Sequence, residues 1–121
     1  YQLAHPQGKL VRVISGRIRD VAVDIRKRSP TYGHYEISQL TDNNDKMLYI
    51  PEGFAHGYVV ESDLAVVEYQ CTDIYVPDDQ FGINWNDPDL NIPWGISTPI
   101  LSEKDNELPF LKEQNFLPAY K

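Results

Sequence analysis

A single histidine stands in the middle of an apolar, glycine-containing run, YIPEGFAHGYVV at positions 49–60. There, His56 could be a metal ligand, a substrate contact or a residue of the core. A catalytic metal usually takes three protein ligands, and the other two histidines, His5 and His34, lie in turn-like contexts without matching spacing. The sequence therefore favours a substrate contact over a core histidine, and the predicted site contains no metal.

Three further side chains could move a proton or stabilise charge: Lys9, Tyr69 and Asp105. Each also has an ordinary structural interpretation. Lys9 opens an alternating strand and would normally be solvated, and Tyr69 could be a barrel tyrosine whose hydroxyl finds a hydrogen-bond partner. Asp105 follows Ser102 by three residues, a spacing close to a capping box, where a carboxylate stabilises the start of a helix. The residue types alone leave both interpretations open.

Short alternating runs separated by turn residues are the elements that would position these side chains. The run 9–26 predicts two strands joined at Ser15 and Gly16, and further strands are predicted at 35–40, 47–50, 57–60 and 64–71. In the second strand of the pair, alternate residues face opposite sides: Val21, Val23 and Ile25 on one, and Asp20, Ala22 and Asp24 on the other. Many short strands at this spacing indicate an all-β sandwich or barrel.

The last third of the chain has a different character. Residues 76–99 are rich in Pro, Asp and Asn, contain both tryptophans and show little periodicity, which predicts an ordered surface loop. A short helix is predicted after Ser102, interrupted by Pro109, and no long helix is expected before residue 100. The prediction is an all-β domain with a short C-terminal helical segment.

Length, charge and cysteine content bound the class of protein. With 121 residues, 41% of them hydrophobic, the chain suits one domain with a single core. A net charge of −7 argues against a broad basic face for nucleic acid. No apolar run reaches the roughly 18 to 20 residues of a membrane span, and no signal peptide is visible. Cys71 is the only cysteine, which fits a reducing compartment. We expect a cytoplasmic protein with no nucleic-acid or membrane partner.

The pattern Pro-x-Gly-x-x-His in PEGFAH resembles the second motif of the cupin superfamily of small β-barrels. A closer resemblance covers nearly the whole chain. PQGKLVRV, DVAVDIRKRSPTYG, YIPEGFAHGY, YQCTDIY, WNDPDLNI and PILSEKD occur in the order and spacing found in dTDP-4-dehydrorhamnose 3,5-epimerases. This resemblance implies a cupin-like jelly-roll β-barrel, a homodimer, no metal or nicotinamide cofactor, and a dTDP-linked 4-keto-6-deoxy sugar as the substrate.

The reaction that the resemblance implies is an inversion next to a ketone. The C4 carbonyl acidifies the hydrogens on C3 and C5, so a base can remove each as a proton and leave an enolate on O4, and an acid on the opposite face returns a proton. Asp105 in LSEKD matches the aspartate that orients the base, a histidine that would directly precede Tyr1. We therefore expect residues 1–121 to form a single cupin-like epimerase domain that lacks its N-terminal segment.

The resemblance also implies roles for the remaining site residues. Lys9 matches the lysine that stabilises the enolate oxygen, and Tyr69 matches the proton donor across the sugar ring. His56 matches a substrate-binding histidine near the sugar carbonyl. Further substrate contacts are implied for three residues: Tyr75 near the nucleotide, Lys104, and Gln80, which stands where many members carry a glutamate.

The implied function is the conversion of dTDP-4-dehydro-6-deoxy-D-glucose to dTDP-4-dehydro-L-rhamnose in dTDP-L-rhamnose biosynthesis. Two alternatives stay open. The first is a 3- or 5-epimerase that inverts one centre of a related sugar, because the same base, cation and acid serve either centre. The second is a sugar-binding barrel without catalytic activity. Ile74 replaces a frequent second tyrosine, and this change, like Gln80, concerns the nucleotide contacts rather than the reaction.

Overall fold

In the computed structural model, which describes residues 1–121, six β-strands form two three-stranded antiparallel sheets. The strands are β1 Lys9–Ser15, β2 Arg17–Asp24, β3 Tyr35–Thr41, β4 Leu48–Ile50, β5 Phe54–Val60 and β6 Val66–Cys71. One sheet has the order β4-β1-β6 and the other has the order β3-β2-β5. The predicted all-β class is confirmed.

The turn between β1 and β2 carries the chain from one sheet to the other. The two strands were predicted to meet at Ser15 and Gly16, and they do, but each pairs with other strands. Gly16 has φ +89°, and a Cβ there would lie 2.3 Å from the backbone oxygen of Leu64. A side chain at this position is therefore excluded both by backbone conformation and by space.

The strand that carries His56 begins at Phe54, three residues earlier than the predicted 57–60. Gly53 has φ +86° and completes the turn after β4, so the next residue already enters the sheet. His56 is therefore held by strand pairing on β5 rather than by the turn itself. The following strand, β6, begins later than predicted, at Val66.

One apolar core joins the two sheets face to face. Its buried residues are Val11, Val13 and Ile50 from the first sheet and Ile18, Ala22 and Leu40 from the second. Alternation along β2 places Asp20 and Asp24 on the same face as Ile18 and Ala22. Both carboxylates are at most 1% exposed, so the interior of the barrel contains two buried acids.

The first of these acids, Asp24, is fully engaged in a local network. The Nε and Nη2 atoms of Arg26 donate to its two oxygens at 2.9 and 2.8 Å, and the hydroxyls of Ser29 and Thr31 donate to Oδ2. Burial alone would raise the pKa of Asp24, but the hydrogen bonds from Arg26, Ser29 and Thr31 outweigh it and hold the pKa well below its usual range. Asp24 is therefore a structural carboxylate.

The outer face of β2 is covered by the last third of the chain. Val21, Val23 and Ile25 form a second buried cluster with Leu90 and Leu111. The segment 76–99 is irregular, as predicted, but it is more than a surface loop, because it contributes buried residues to this layer. β2 is thus buried on both faces.

The helical content is confined to three short segments. The predicted helix is present as α1, Glu103–Asn106, and the Ser102 hydroxyl accepts a hydrogen bond from the Asp105 backbone N–H at 3.1 Å, as the spacing indicated. Single 3₁₀ turns lie at Pro77–Asp79 and Leu111–Glu113. None of these helices has the length and apolar character needed to cross a membrane.

Candidate active site

Strand register brings Lys9 and Tyr69 to the inner face of the first sheet. In the pairing of β1 with β6, Val11 lies opposite Tyr69. Val11 is fully buried in the core between the sheets. Residues opposite each other, and residues two apart along a strand, share a face. Lys9 and Tyr69 therefore project to the same side as Val11, from adjacent strands.

The second sheet presents a histidine and a carboxylate to the same interior. In the pairing of β2 with β5, Ala22 lies opposite His56 and Asp20 lies opposite Tyr58. The Nε2 atom of His56 lies 2.7 Å from Oδ2 of Asp20, and these side chains are 11% and 0% exposed. When Asp20 is ionised, Nε2 must carry the proton, which leaves Nδ1 of His56 as the ring nitrogen available to a ligand.

Asp20 is incompletely satisfied by the protein. Its Oδ1 atom is buried and has no hydrogen-bond partner. Buried carboxylates are costly unless they are paired and hydrogen-bonded, so this acid is retained at the expense of stability. Buried polar atoms without a partner are rare in proteins, and contact with a bound ligand is one explanation for this one.

A cavity of about 840 Å³ is bounded by β5, the segment 80–85 and the segment 96–108, which includes the first turn of α1. This volume lies within the range of small-molecule sites, about 300–1,000 Å³. Five of the seven predicted site residues line it: Lys9, His56, Gln80, Lys104 and Asp105. The other two, Tyr69 and Tyr75, lie outside the cavity wall and are 56% and 65% exposed.

Tyr1, the first residue of the chain, also belongs to the wall of this cavity. Its amino group donates a hydrogen bond to the Phe81 backbone oxygen at 2.9 Å. Lys9 of β1 and Lys104 of α1 line the same cavity, although they are far apart in sequence.

The cavity wall contains positive charge that could bind an anionic or carbonyl ligand. It has no arrangement of side chains typical of a metal centre. No three or more His, Cys, Asp or Glu side chains converge in a way that could hold a metal ion. Lys9, half-buried, and Lys104, exposed, are the cations along the cavity wall. A half-buried ammonium can stabilise an oxyanion that develops on a bound ligand.

A sequence model of the family described as dTDP-4-dehydrorhamnose 3,5-epimerase matches residues 1–113. The chain belongs to this family. The expectation drawn from the six quoted motifs is confirmed.

Two relatives of this epimerase family show the range of similarity. The chain is 49% identical over 123 residues to the dTDP-4-dehydrorhamnose 3,5-epimerase of Methanothermobacter thermautotrophicus, covering 99% of this chain and 65% of that protein. It is 38% identical over 117 residues to the dTDP-4-dehydrorhamnose 3-epimerase of Streptomyces niveus, covering 94% of this chain. It spans only 56% of that second relative.

The fold is also similar to that of a solved member. The crystal structure of a 3,5-epimerase from Legionella pneumophila, in complex with dTDP-4-keto-L-rhamnose, superposes with a TM-score of 0.96 at 42% identity. The match covers 100% of this chain and 66% of that chain. The predicted cupin-like jelly-roll fold is confirmed by this likeness.

Sequence reasoning missed two residues that contact predicted site residues: Asp20, which pairs with His56, and Gln2, which binds Gln80. Asp20 was placed on the correct face of β2, and an acid among apolar residues on an inward face was a signal that was available but not used. Gln2 is only 4% exposed and binds the backbone around Tyr75. Nothing in the local sequence of Gln2 indicated this contact, because it joins residues 72 or more positions apart.

Proposed function

We propose that this protein inverts C3 and C5 of dTDP-4-dehydro-6-deoxy-D-glucose and yields dTDP-4-dehydro-L-rhamnose, in the biosynthesis of dTDP-L-rhamnose. The observation that carries the proposal is that Lys9, His56 and Asp105 line one cavity in a chain of this epimerase family. The substrate class is supported by the Legionella relative, whose structure contains dTDP-4-keto-L-rhamnose.

In this proposal, Lys9 and His56 act at the C4 carbonyl. The half-buried ammonium of Lys9 stabilises the negative charge that reaches O4 when a proton leaves C3 or C5. The pair with Asp20 fixes the orientation and tautomer of His56, so that its other ring nitrogen can contact the sugar. Such charge stabilisation matters most in the transition state, where the enolate forms.

The general base in this proposal is a histidine joined to the nitrogen of Tyr1. Two observations support this position. Tyr1 belongs to the cavity wall, and Asp105 lines the same cavity. A residue attached to the Tyr1 nitrogen would therefore begin at the cavity that holds Asp105, its implied partner. Intact mass and N-terminal sequencing of the full-length gene product test this assignment.

Tyr69 is proposed as the acid that returns the proton on the far face of the sugar. Its support is the strand register, which places it on the inner face next to the strand of Lys9. It stands 56% exposed, outside the cavity wall, so a bound sugar would have to extend over the β1–β6 pair to reach its hydroxyl. Tyr75, Gln80 and Lys104 are proposed as contacts to the substrate, Tyr75 on the side of the nucleotide.

We also propose a homodimer, a cytoplasmic location and a reaction without metal or nicotinamide. The location is supported by the single cysteine, Cys71, which is exposed and free. The reaction needs only proton transfer and charge stabilisation, which side chains can supply. Analytical ultracentrifugation of the full-length gene product distinguishes a dimer from a monomer.

The second candidate is a single-centre epimerase. It is favoured by the 38% identity to the Streptomyces niveus 3-epimerase. The same base, cation and acid would serve it, and the difference would lie in how the sugar ring fits the cavity. A non-catalytic sugar-binding barrel remains as the third outcome of the test.

The deciding experiment is turnover in deuterium oxide, followed by NMR. Full-length gene product, dialysed against a chelator, is mixed with dTDP-4-dehydro-6-deoxy-D-glucose. Deuterium at both C3 and C5 together with the L-rhamno product is the expected result. Deuterium and inversion at one centre alone would establish the single-centre enzyme. Binding without exchange would leave the sugar-binding barrel, and activity restored only by added metal would contradict the metal-free reaction.

A further inference from the structure

The side-chain amide of Gln2 makes all the hydrogen bonds that such an amide can make. Its Nε2 donates to the backbone oxygens of His5 at 2.7 Å and Ile74 at 2.9 Å. Its Oε1 accepts from the Val76 backbone N–H at 2.8 Å and from Gln80 Nε2 at 2.7 Å. An amide has two donor hydrogens and two acceptor lone pairs, so this buried group is satisfied on every side.

Two of the four bonds lie on either side of Tyr75. The Gln2 amide donates to the residue before Tyr75 and accepts from the residue after it. One residue of a neighbouring parallel strand would make the same pair of bonds. A single side chain thus replaces a strand in fixing the backbone of the segment 74–76.

Gln80, farther along the same part of the chain, is also held by the side chain of Gln2. The Nε2 atom of Gln80 donates one of its two hydrogens to the oxygen of Gln2, and Gln2 and Gln80 also form a backbone bridge. The carbonyl oxygen and the second N–H of the Gln80 side chain remain for the cavity that this residue lines. Gln2 therefore fixes the orientation of a neutral amide that can bond to a ligand.

A second contact joins the N-terminal segment to the segment that follows Tyr75, but it does not involve the residues next to Tyr75. The carboxylate of Asp79 accepts the backbone N–H groups of Leu3, Ala4 and His5, and these bonds lower its pKa. It anchors residues 3–5, whereas Gln2 anchors the backbone on both sides of Tyr75. Gln2 is thus the residue of the N-terminal segment whose side chain holds the backbone immediately before and after Tyr75.

We propose that Gln2 is a positioning residue for the nucleotide half of the site, which holds Tyr75 and Gln80 in the geometry that receives dTDP. This inference rests on the proposed function, because it takes Tyr75 and Gln80 as nucleotide contacts. It predicts that Gln2 controls substrate affinity more than the proton-transfer step, since Lys9 and His56 lie on other strands.

The test compares two identical chemical changes, Gln2→Glu and Gln7→Glu, in the full-length gene product. Gln2→Glu keeps the acceptor for Val76 and Gln80 but places an oxygen against the carbonyls of His5 and Ile74. Gln7 lies on the same segment and donates to the Asp73 backbone oxygen at 2.8 Å, so it is a matched control that does not flank Tyr75. Isothermal titration calorimetry with dTDP gives Kd, and the epimerase assay gives kcat and KM.

We expect Gln2→Glu to weaken dTDP binding and raise KM by about 10-fold, the effect of losing one or two buried hydrogen bonds. We expect kcat to stay within roughly threefold, and Gln7→Glu to behave as wild type. An unchanged Kd in Gln2→Glu, or an equal loss in both variants, overturns the proposal. If Gln2→Glu does not fold, Gln2→Met is measured against the same criteria. Wild-type protein that fails to bind dTDP would overturn the proposed function, and this inference with it.

Discussion

The Nε2 atom of His56 lies 2.7 Å from Oδ2 of Asp20, a carboxylate with no exposure to solvent whose second oxygen has no partner. The two residues lie on adjacent strands of one sheet, so the contact is set by pairing register rather than by a flexible loop. This arrangement holds the imidazole at the cavity in one orientation. It also makes the site sensitive to the charge of Asp20.

Replacing Asp20 with asparagine should therefore affect activity more than stability. Asp20→Asn keeps the size of the side chain and removes the charge that orients and supports His56. We expect kcat to fall by about 10²-fold, while the free energy of unfolding changes by less than about 1 kcal/mol, because a buried, half-satisfied charge is also removed. Steady-state kinetics and urea unfolding measure the two quantities. Asp63→Asn, at an exposed position, serves as the control, and a loss of stability without loss of kcat would make the pair structural.

Lys9 should matter for the rate more than for binding. In Lys9→Met, kcat is expected to fall by roughly 10²- to 10³-fold, the scale of removing one stabiliser of a developing oxyanion. Substrate affinity should weaken less, because the enolate charge exists only along the reaction path. Kinetics and calorimetry are compared with Lys46→Met, which changes an exposed lysine. Equal losses in binding and rate would instead identify Lys9 as a phosphate or positioning contact.

Tyr69 can be tested by separating proton removal from proton return. Tyr69→Phe removes only the hydroxyl, so we expect inversion to slow by roughly 10²- to 10⁴-fold. Exchange of the C3 or C5 hydrogens in deuterium oxide, with retention, should fall less, since the base and Lys9 still form the enolate. NMR follows both processes. Tyr49→Phe is the control, because Tyr49 lies on the same sheet with similar exposure, 57% against 56%. Unchanged inversion would show that Tyr69 is a structural tyrosine.

Asp24 should contribute stability that depends on pH. Its pKa is lowered in the folded state, so the contribution is complete above the unfolded pKa, about 3.9, and is lost as pH falls through the folded value. We expect Asp24→Asn to lower the free energy of unfolding by about 2–3 kcal/mol at pH 7. The difference from wild type should shrink below about pH 4. Urea unfolding from pH 7 to pH 2 measures it, and a difference independent of pH would exclude the charge as its source.

The strands were predictable because their signals are local. Alternation and turn residues placed β1, β2 and β3 to within two residues, and Ser102 indicated the start of α1. The start of β5 was missed because a continuous apolar run does not show where a strand begins after a glycine turn. The irregular segment 76–99 was recognised, but its burial was not, since that depends on the distant outer face of β2.

The site was predictable only in part, and mostly through resemblance. Lys9 and Asp105 have ordinary explanations when the residues are considered alone, and only the resemblance to the family motifs made them candidates for the site. The contact of Asp20 with His56 could be recognised only from the register of β2 with β5. The contacts of Gln2 could be recognised only from the packing of residues 73–80 against the N-terminal segment. Both are contacts between residues far apart in sequence, for which a periodic pattern contains no information.

The burial of β2 on both faces has a consequence for how the chain reaches its native state. The sheet containing β1 is complete only when residue 71 is available, and the outer face of β2 is covered only when Leu90 and Leu111 dock. Domains dominated by such non-local pairing fold slowly, typically in milliseconds to seconds. If both sheets formed before the last third of the chain docked, Val21 and Val23 would face water, and a species with this exposed apolar surface would be prone to aggregate.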